Sequence, residues 1–485
     1  MFFANSLKMG YGVNMTTSQL FDIPLTRTKV ICTIGPSCWE KDQMAELADN
    51  GMNIARLNFS HGERKQHQES IDKIHSINEG RLLKVAIMQD TKGAEIRTGD
   101  VDEKITVEVG DEVVFSPTPL PKEKRAVIIV SYDGFAKDAL ETDVILIDNG
   151  EIYFDIISVE KNGSVVAKAQ QSGAIGSRRH ISLPGADIDL PSITEKDWED
   201  IRFGAEQNID YIALSFVRTR AEVESVRKLL KKLKSTSKLI SKIETKKSVD
   251  NIQEIIEASD AIMVARGDLG SDLPFEQLPV VQDEIVCRCK DAGKPVIIAT
   301  QMLESMMEHP MPTRAEVTDT AHAVSTGTDA TMLSGETAAG IHPVLALKAM
   351  KRIHKATEAH LARLEIVYDI RFSSRDEEEM DSAVKLAEEQ EVDVIVLLSD
   401  TGRTAHHIAK FRPPVPLICF VNDPVVQTEL TLVYGCYPIM IDFDESDEVT
   451  MDNGVELALT TGLIQKGQRV LLLRDRANKP EVVNL

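Results

Sequence analysis

At roughly 100–200 residues per domain, a chain of 485 residues has room for two to four domains, and its 42% hydrophobic and 27% charged content excludes wholesale disorder. Asp and Glu outnumber Lys and Arg by 77 to 55, and the net charge of −22 sets up a field that opposes binding to nucleic acid or to an anionic membrane. No apolar run reaches the roughly 18 residues a membrane-spanning helix needs, and Met1–Asn14 lacks the apolar core expected of a secretory signal.

In chain order, eight short β-branched runs read as strands: Lys29–Gly35, Asn53–Ser60, Lys84–Asp90, Asp210–Phe216, Leu239–Glu244, Ala261–Asp268, Pro295–Gln301 and Ala330–Glu336. They are nearly continuous in apolar residues, as in a parallel sheet covered on both faces. Helical patterns at Lys41–Asn50, Gln66–Asn78, Ala221–Lys234, Ser248–Ala258 and Gln277–Ala292 separate most of them, with Gly51 and Gly293 as stops. The basic stretch Arg227–Lys238 is expected on the wet face of one such helix.

Eight alternations predict a (β/α)8 barrel with its site at the C-terminal ends of the strands. From Lys92 to about Pro191 the rhythm changes to short alternating strands, including Lys104–Val109, Glu112–Phe115, Val144–Asp148 and Ser164–Ala169. That stretch is far longer than an ordinary connection of about 2–6 residues, so a separate β-rich lid, a small β-barrel, is expected there. A helix at Pro343–Glu365 and an acidic run at Arg375–Asp381, read as a solvated linker with favourable charge at the next helix's N-terminus, lead to strands at Val392–Ser399, Leu417–Val421, Pro438–Asp442 and Arg469–Arg474, an open α/β domain. The expected boundaries are 1–21 for an N-terminal extension, 22–92 and 191–357 for the barrel, 93–190 for the lid and 358–485 for the C-terminal domain. The six cysteines are scattered without a C-x-x-C, which predicts reduced, mostly buried thiols and a cytoplasmic protein.

Polar residues gather at the strand ends. The second strand offers Arg56, Asn58, Ser60 and, beyond it, His61; the third offers Asp90 and Thr91. The fifth gives Lys242 and Glu244, the sixth Arg266, Gly267 and Asp268, and the last two Thr300, Gln301, Ser334 and Glu336. Alternate strand residues share a face, so Arg56, Asn58 and Ser60 are expected to point one way, as are Lys242 with Glu244 and Arg266 with Asp268. So many charges in a barrel mouth are costly without counter-ions or ligands. Glu244 and Asp268 are hard oxygen donors suited to Mg²⁺ or Mn²⁺ completed by substrate phosphate and water. A salt bridge among Lys242, Glu244, Arg266 and Asp268 is the structural alternative. Asn58, Ser60, Asp90 and the Thr91 carbonyl form an oxygen set with one formal charge, better matched to a monovalent cation. Arg56, Arg97 and Lys242 could contact phosphoryl oxygens. No G-x-x-x-x-G-K-[ST] loop occurs, which excludes a P-loop enzyme. The residues alone indicate a metal-assisted barrel enzyme acting on a phosphorylated or carboxylated anion.

The stretches TKVICTIGPS (Thr28–Ser37), NIARLNFSHG (Asn53–Gly62), DTKGAEIRTG (Asp90–Gly99), SKIE (Ser241–Glu244), MVARGDLG (Met263–Gly270), GKPVIIATQMLES (Gly293–Ser305), PTRAE (Pro312–Glu316) and MLSGETA (Met332–Ala338) closely resemble pyruvate kinase, in that family's order. The resemblance implies phosphoryl transfer from phosphoenolpyruvate to ADP, giving pyruvate and ATP. It implies Mg²⁺ at Glu244 and Asp268, and K⁺ at Asn58, Ser60, Asp90 and Thr91, with Glu95 marking the K⁺-requiring form. Arg56 would hold the substrate phosphate. Gly267, with neighbouring amides, would hold the carboxylate, and Lys242 would offset charge on the phosphoryl group in flight. Arg266, Asp268 and Thr300 complete the substrate set, with Thr300 near the carbon to be protonated and Ser334 and Glu336 in a proton relay. Asn58, His61, Arg97 and Arg179 fall on the nucleotide side.

A homotetramer with Arg314 near a subunit contact is the family expectation. Ser399–Thr404 (SDTGRT) resembles the family's loop for a phosphorylated allosteric effector, although Asp400 brings a negative charge and the tail Asn478–Leu485 lacks the usual ending. Ala94, the Arg179–Ser182 stretch, Asp283 and His322 also depart from the family pattern. Two rival readings are a metal-dependent, aldolase-like barrel enzyme of pyruvate enolates, which needs no nucleotide, and a non-enzymatic metabolite-binding relative, which should have lost Lys242 or a metal carboxylate.

Overall fold

The computed structural model describes residues 25–148, 150–364, 370–444, 446–475 and 477–485. The expected N-terminal extension, residues 1–21, lies outside them. Eight parallel strands close into a barrel: β1 (Lys29–Thr33), β2 (Ile54–Asn58), β3 (Ala86–Asp90), β4 (Tyr211–Leu214), β5 (Lys238–Ile243), β6 (Ala261–Ala265), β7 (Val296–Ala299) and β8 (Ala330–Leu333). β8 pairs back onto β1, Lys29 opposite Ala330.

Side-chain alternation divides each strand between two cores. Outward residues such as Val30, Ala55, Ile87, Ile212 and Ile262 pack against the surrounding helices. Inward residues Ile31, Ile54, Met88, Ala213, Ile240, Met263, Ile297 and Met332 fill the lumen. Because the lumen is already filled by apolar side chains, the next inward positions, one or two pleats further along, emerge at the mouth, and there the polar residues sit.

The runs expected as strands extend past the observed ends for a simple reason: the backbone turns as soon as it leaves the barrel. β6 ends at Ala265, and Arg266–Asp272 is a helix; β8 ends at Leu333, and Gly335–Ala338 is a helical turn. The expected helix Ser248–Ala258 is two pieces, Lys246–Asp250 and Ile252–Ala258, with Asn251 between them. Helices at Glu195–Glu206 and Arg314–Ser325 complete the outer ring. Both begin with a capping Thr whose side chain accepts from the amide three residues on.

The insertion follows β3. Its main sheet has seven strands, running Ile96–Arg97, His180–Ser182, Val144–Ile147, Ile152–Val159, Val165–Ala169, Glu112–Ser116 and Ala126–Ile129, beside a two-stranded ribbon of Ile105–Val107 and Gly173–Ile175. The two edges of the sheet meet at a bridge between Thr98 and Val130, where the Gly99 amide donates to the Ile129 carbonyl at 2.8 Å, so the sheet curls closed around Phe115, Phe135 and Phe154. Gly93 lies where the chain enters the insertion. Its φ of +69° and the 2.7 Å approach a Cβ would make to the Phe216 ring leave no room for another residue.

The C-terminal domain has a five-stranded sheet ordered Cys436–Met440, Leu417–Val421, Val394–Leu398, Arg469–Arg474 and Ala477–Asn484, parallel except for the last strand. The acidic segment Arg375–Asp381, expected as a solvated linker with favourable charge at the next helix's N-terminus, is itself the first half of helix Arg375–Glu389; Ser374 caps it, and Asp376, Glu377 and Glu378 suit its positive N-terminal end as expected. The domain seals the closed end of the barrel. Leu432 plugs the lumen, the Tyr211 hydroxyl donates to the Glu429 carbonyl at 2.6 Å, and the Lys29 ammonium reaches the Cys436 carbonyl and lies 3.6 Å from the centre of the Tyr437 ring. All six cysteines are unpaired, and only Cys287 is exposed. No helix among the described residues is long and apolar enough to cross a membrane.

Candidate active site

The open end of the barrel carries a buried charge network. Lys242 follows Ile240 at an inward position of β5, is 8% exposed, and places its ammonium 2.8 Å from Glu244, 3.1 Å from Asp90 and 2.8 Å from the Ser215 hydroxyl. Asp90, at the end of β3, also accepts from the Arg56 guanidinium at 2.7 Å, and Arg56 reaches the Thr33 hydroxyl at 3.0 Å.

Burial alone would neutralise these groups. It opposes the charge on Lys242, but Asp90 and Glu244 outweigh it and hold the ammonium above its ordinary range. Asp90 is likewise held below the usual carboxylate range, because Lys242 and Arg56 overcome its desolvation. Glu244 is the exception. Burial, with Asp268 nearby, pushes its carboxyl up despite Lys242 and a hydrogen bond from the Phe216 amide at 2.6 Å.

A cleft of about 370 Å³ lies between the barrel mouth and the insertion. Glu244, Lys246, Asp268 and Asp272 line it on the barrel side, and Glu95, His180, Ser182 and Gly185 on the other. Glu244 and Asp268 therefore face one space. Among the described residues no group of three or more His, Cys, Asp or Glu converges on a point, so a cation held here would draw at most two carboxylates from this chain. A buried carboxylate whose single cationic partner does not offset its burial, beside a second carboxylate, is a donor set that suits a hard divalent ion.

Arg266 does not join this network, which corrects the expectation that it shares a face with Asp268. Both lie on the helix Arg266–Asp272, where residues two apart do not face each other. The Arg266 guanidinium instead donates to Asp319 and to the Thr300 carbonyl, each at 2.7 Å. Its effect is on the turn after β7, where Thr300 and Gln301 hold φ values of +70° and +52°, a strained conformation for a β-branched residue. The Thr300 hydroxyl accepts from the Gly267 amide at 2.8 Å, joining two of the expected substrate residues. Glu336 is buried and accepts from the Ser334 amide at 2.7 Å and the Leu303 amide at 3.0 Å, while desolvation raises its pKa. The Ser334 hydroxyl is buried without a protein partner among the described residues.

Asn58 lies opposite Asp90 across β2 and β3, and its side-chain oxygen Oδ1 accepts from the Ser60 amide at 3.1 Å. The Thr91 carbonyl accepts from the Ser215 hydroxyl at 2.6 Å. Ser60 sits in the turn after β2, not on the strand face expected for it. The nucleotide-side residues are more dispersed. His61 is exposed after β2, whereas Arg97 and Arg179 belong to the insertion, Arg97 paired with Glu95 at 2.6 Å and Arg179 with Asp148 at 3.3 Å. In the C-terminal domain, Ser399 and the Asp400 amide both donate to Asp475, at 2.7 and 3.1 Å, so a carboxylate from the same chain already engages the Ser399–Thr404 loop. Two residues of the network were missed from sequence, Ser215 and Thr33. Ser215 follows Tyr211 and Ala213 at inward spacing, so the alternation of β4 carried the signal.

Known proteins match this arrangement along nearly the whole chain. Residues 25–347 match the family model described as the pyruvate kinase barrel domain, and residues 377–485 that of the pyruvate kinase alpha/beta domain. The chain belongs to the pyruvate kinase family. It is 39% identical to a pyruvate kinase of Dictyostelium discoideum, over 92% of this chain and 90% of that protein. It is 38% identical to plastidial pyruvate kinase 2 of Arabidopsis thaliana, over 93% and 78%. A crystal structure of a pyruvate kinase from Cryptosporidium parvum superposes with a TM-score of 0.87 at 34% identity, covering 99% of this chain and all of the other. The chain is accordingly a metal-dependent kinase whose substrates are phosphoenolpyruvate and ADP.

Proposed function

We propose that the buried network at the barrel mouth transfers the phosphoryl group of phosphoenolpyruvate to ADP, with Mg²⁺ or Mn²⁺ at Glu244 and Asp268 and K⁺ among Asn58, Ser60, Asp90 and Thr91. The observation that carries this assignment is the Lys242 ammonium, buried and charged between Asp90 and Glu244 beneath the insertion. In the reaction, the bond between phosphorus and the enol oxygen breaks as a terminal phosphate oxygen of ADP bonds to phosphorus. Phosphoryl transfer calls on positioning and charge stabilisation more than on covalent chemistry. Lys242 and Arg56 supply fixed positive charge, and Gly267, with neighbouring amides, binds the substrate carboxylate, its own amide exchanging the Thr300 hydroxyl for the substrate oxygen. A divalent ion, when bound, would add Lewis-acid stabilisation of the departing enolate oxygen.

The enolate then takes a proton on its methylene carbon, on the side of Thr300, with Ser334 and Glu336 in the relay. Arg97, Arg179, His61 and Asn58 serve the nucleotide. Closure of the insertion over the mouth excludes water, so that ADP and not water receives the phosphoryl group. Family precedent supports a cytoplasmic, glycolytic homotetramer with Arg314 near a subunit contact. A phosphorylated effector would have to displace Asp475 from the Ser399–Thr404 loop. The assay is pyruvate formation coupled to a dehydrogenase, with ADP, Mg²⁺ and K⁺ omitted in turn. Each omission should abolish or sharply cut the rate; pyruvate formed at full rate without ADP would show the phosphoryl group going to water and would contradict the reading.

A further inference from the structure

We propose that Asp272 is a positioning residue that links the pose of the inserted domain to the two carboxylates at the barrel mouth. Asp272 ends the helix Arg266–Asp272, whose first turn carries Gly267 and Asp268. One of its carboxylate oxygens accepts from the Gly185 amide at 2.8 Å, the other from the Lys246 amide at 2.5 Å. Gly185 lies three residues past the insertion's last strand, His180–Ser182, on the stretch by which the chain returns to the barrel. Its φ of +76° is a left-handed conformation that glycine adopts without strain, and a Cβ there would meet nothing. Lys246 opens the helix two residues beyond Glu244.

One side chain therefore links the exit of the insertion, the helix bearing Asp268 and the helix that begins two residues after Glu244, and residues of all three line the same cleft. Amides donating to an ionised carboxylate make stronger bonds than neutral pairs. A helix of under two turns moves as a unit, so a displacement of the insertion felt at Asp272 is carried to Asp268 in the first turn. Other ties to the exit stretch lack this reach. The Lys247–Asp187 ion pair joins two half-exposed side chains, and Arg218 holds the Ile188 and Leu190 carbonyls from the loop after β4.

The inference rests on the assignment of Asp268 to the divalent ion and of Arg97 and Arg179 to the nucleotide. Its test compares wild type with Asp272→Ala, Asp272→Asn, Asp272→Glu and Lys247→Met. In metal-free protein, hydrogen exchange of the Gly185 and Lys246 amides should accelerate in Asp272→Ala, less in Asp272→Asn, which keeps one acceptor oxygen, and return toward wild type in Asp272→Glu. In turnover, Asp272→Ala should raise both KM for ADP and the Mg²⁺ concentration for half-maximal rate by about ten-fold, as loss of two charge-assisted bonds permits, while kcat at saturation of both changes little. Lys247→Met should leave the Mg²⁺ requirement unchanged. Faster exchange with both constants unaltered would overturn the proposal, as would a Lys247→Met variant that copies Asp272→Ala. Wild-type protein that makes no ATP would instead count against the assigned reaction.

Discussion

Replacing Lys242 by Met keeps an unbranched side chain one atom shorter and removes its charge and its donors. In the structure that charge sits 2.8 Å from Glu244 and 3.1 Å from Asp90, with both carboxylates buried. Removing one partner of a buried ion pair typically costs about 3–5 kcal/mol, and Asp90 keeps Arg56 at 2.7 Å, so the loss falls chiefly on Glu244 and should lie near the lower figure. The catalytic loss is separable. A preorganised charge aimed at the reacting group is worth roughly 10²–10³ in kcat, or about 3–4 kcal/mol of barrel-mouth stabilisation of the transition state. Arg56 and the amides around Gly267 remain to hold phosphoenolpyruvate, so its KM should change by less than about three-fold. Steady-state pyruvate formation at saturating ADP, with circular dichroism confirming a folded variant, measures both constants. A folded Lys242→Met protein with kcat within ten-fold of wild type would refute the reasoning, and so would a loss expressed wholly in KM.

Replacing K⁺ by tetramethylammonium at constant ionic strength should cut the rate steeply, because that ion cannot accept coordination from Asn58, Asp90 and the Thr91 carbonyl; equal rates in the two salts would discard the monovalent site. His354 is fully buried beside the Thr331 hydroxyl at 3.0 Å, and burial lowers its pKa from 6.5 to about 3. The unfolded chain takes up this proton below pH 6.5 while the folded chain refuses it, so the residue's stability contribution is whole above pH 6.5 and erodes in acid, by about 2 kcal/mol at pH 5. His354→Gln should flatten the decline of the urea midpoint between pH 6.5 and 4, and an unchanged slope would contradict that. A Cβ at Gly204 would lie 1.9 Å from the Gln89 carboxamide oxygen, whose nitrogen donates to the Asp200 carbonyl at 2.8 Å. Gly204→Ala should therefore cost about 1–3 kcal/mol by overpacking, visible as a lower melting temperature, and an unaltered melt would show that the contact yields freely.

The barrel was legible because its strands are buried on both faces and spell themselves out as apolar runs. The insertion was legible because its pattern breaks that rhythm. Strand ends were less so. In MVARGDLG the apolar-charged alternation continues through Arg266 and Asp268, yet the chain turns into a helix at Arg266, and sequence gives no sign of which residue leaves the sheet first. The same turn sent Arg266 to Asp319, a partner 53 residues away that no local pattern announces. Lys242, Glu244, Asp90 and Arg56 came together as their inward spacing implied. Ser215 was readable by the same parity, since it follows Tyr211 and Ala213 at inward spacing. Asp283 and His322, each a departure from the family pattern, contact one another at 3.0 Å, a pairing visible only when two distant helices are brought side by side.

The central claim is that Glu244 and Asp268 share a divalent ion, and Mn²⁺ binding followed by electron paramagnetic resonance tests it without reference to turnover. Wild-type protein should remove one Mn²⁺ per chain from the free signal, and Glu244→Gln and Asp268→Asn should each weaken that binding by at least about ten-fold, the scale on which metal-site perturbations act. Wild-type affinity in both variants would contradict the claim.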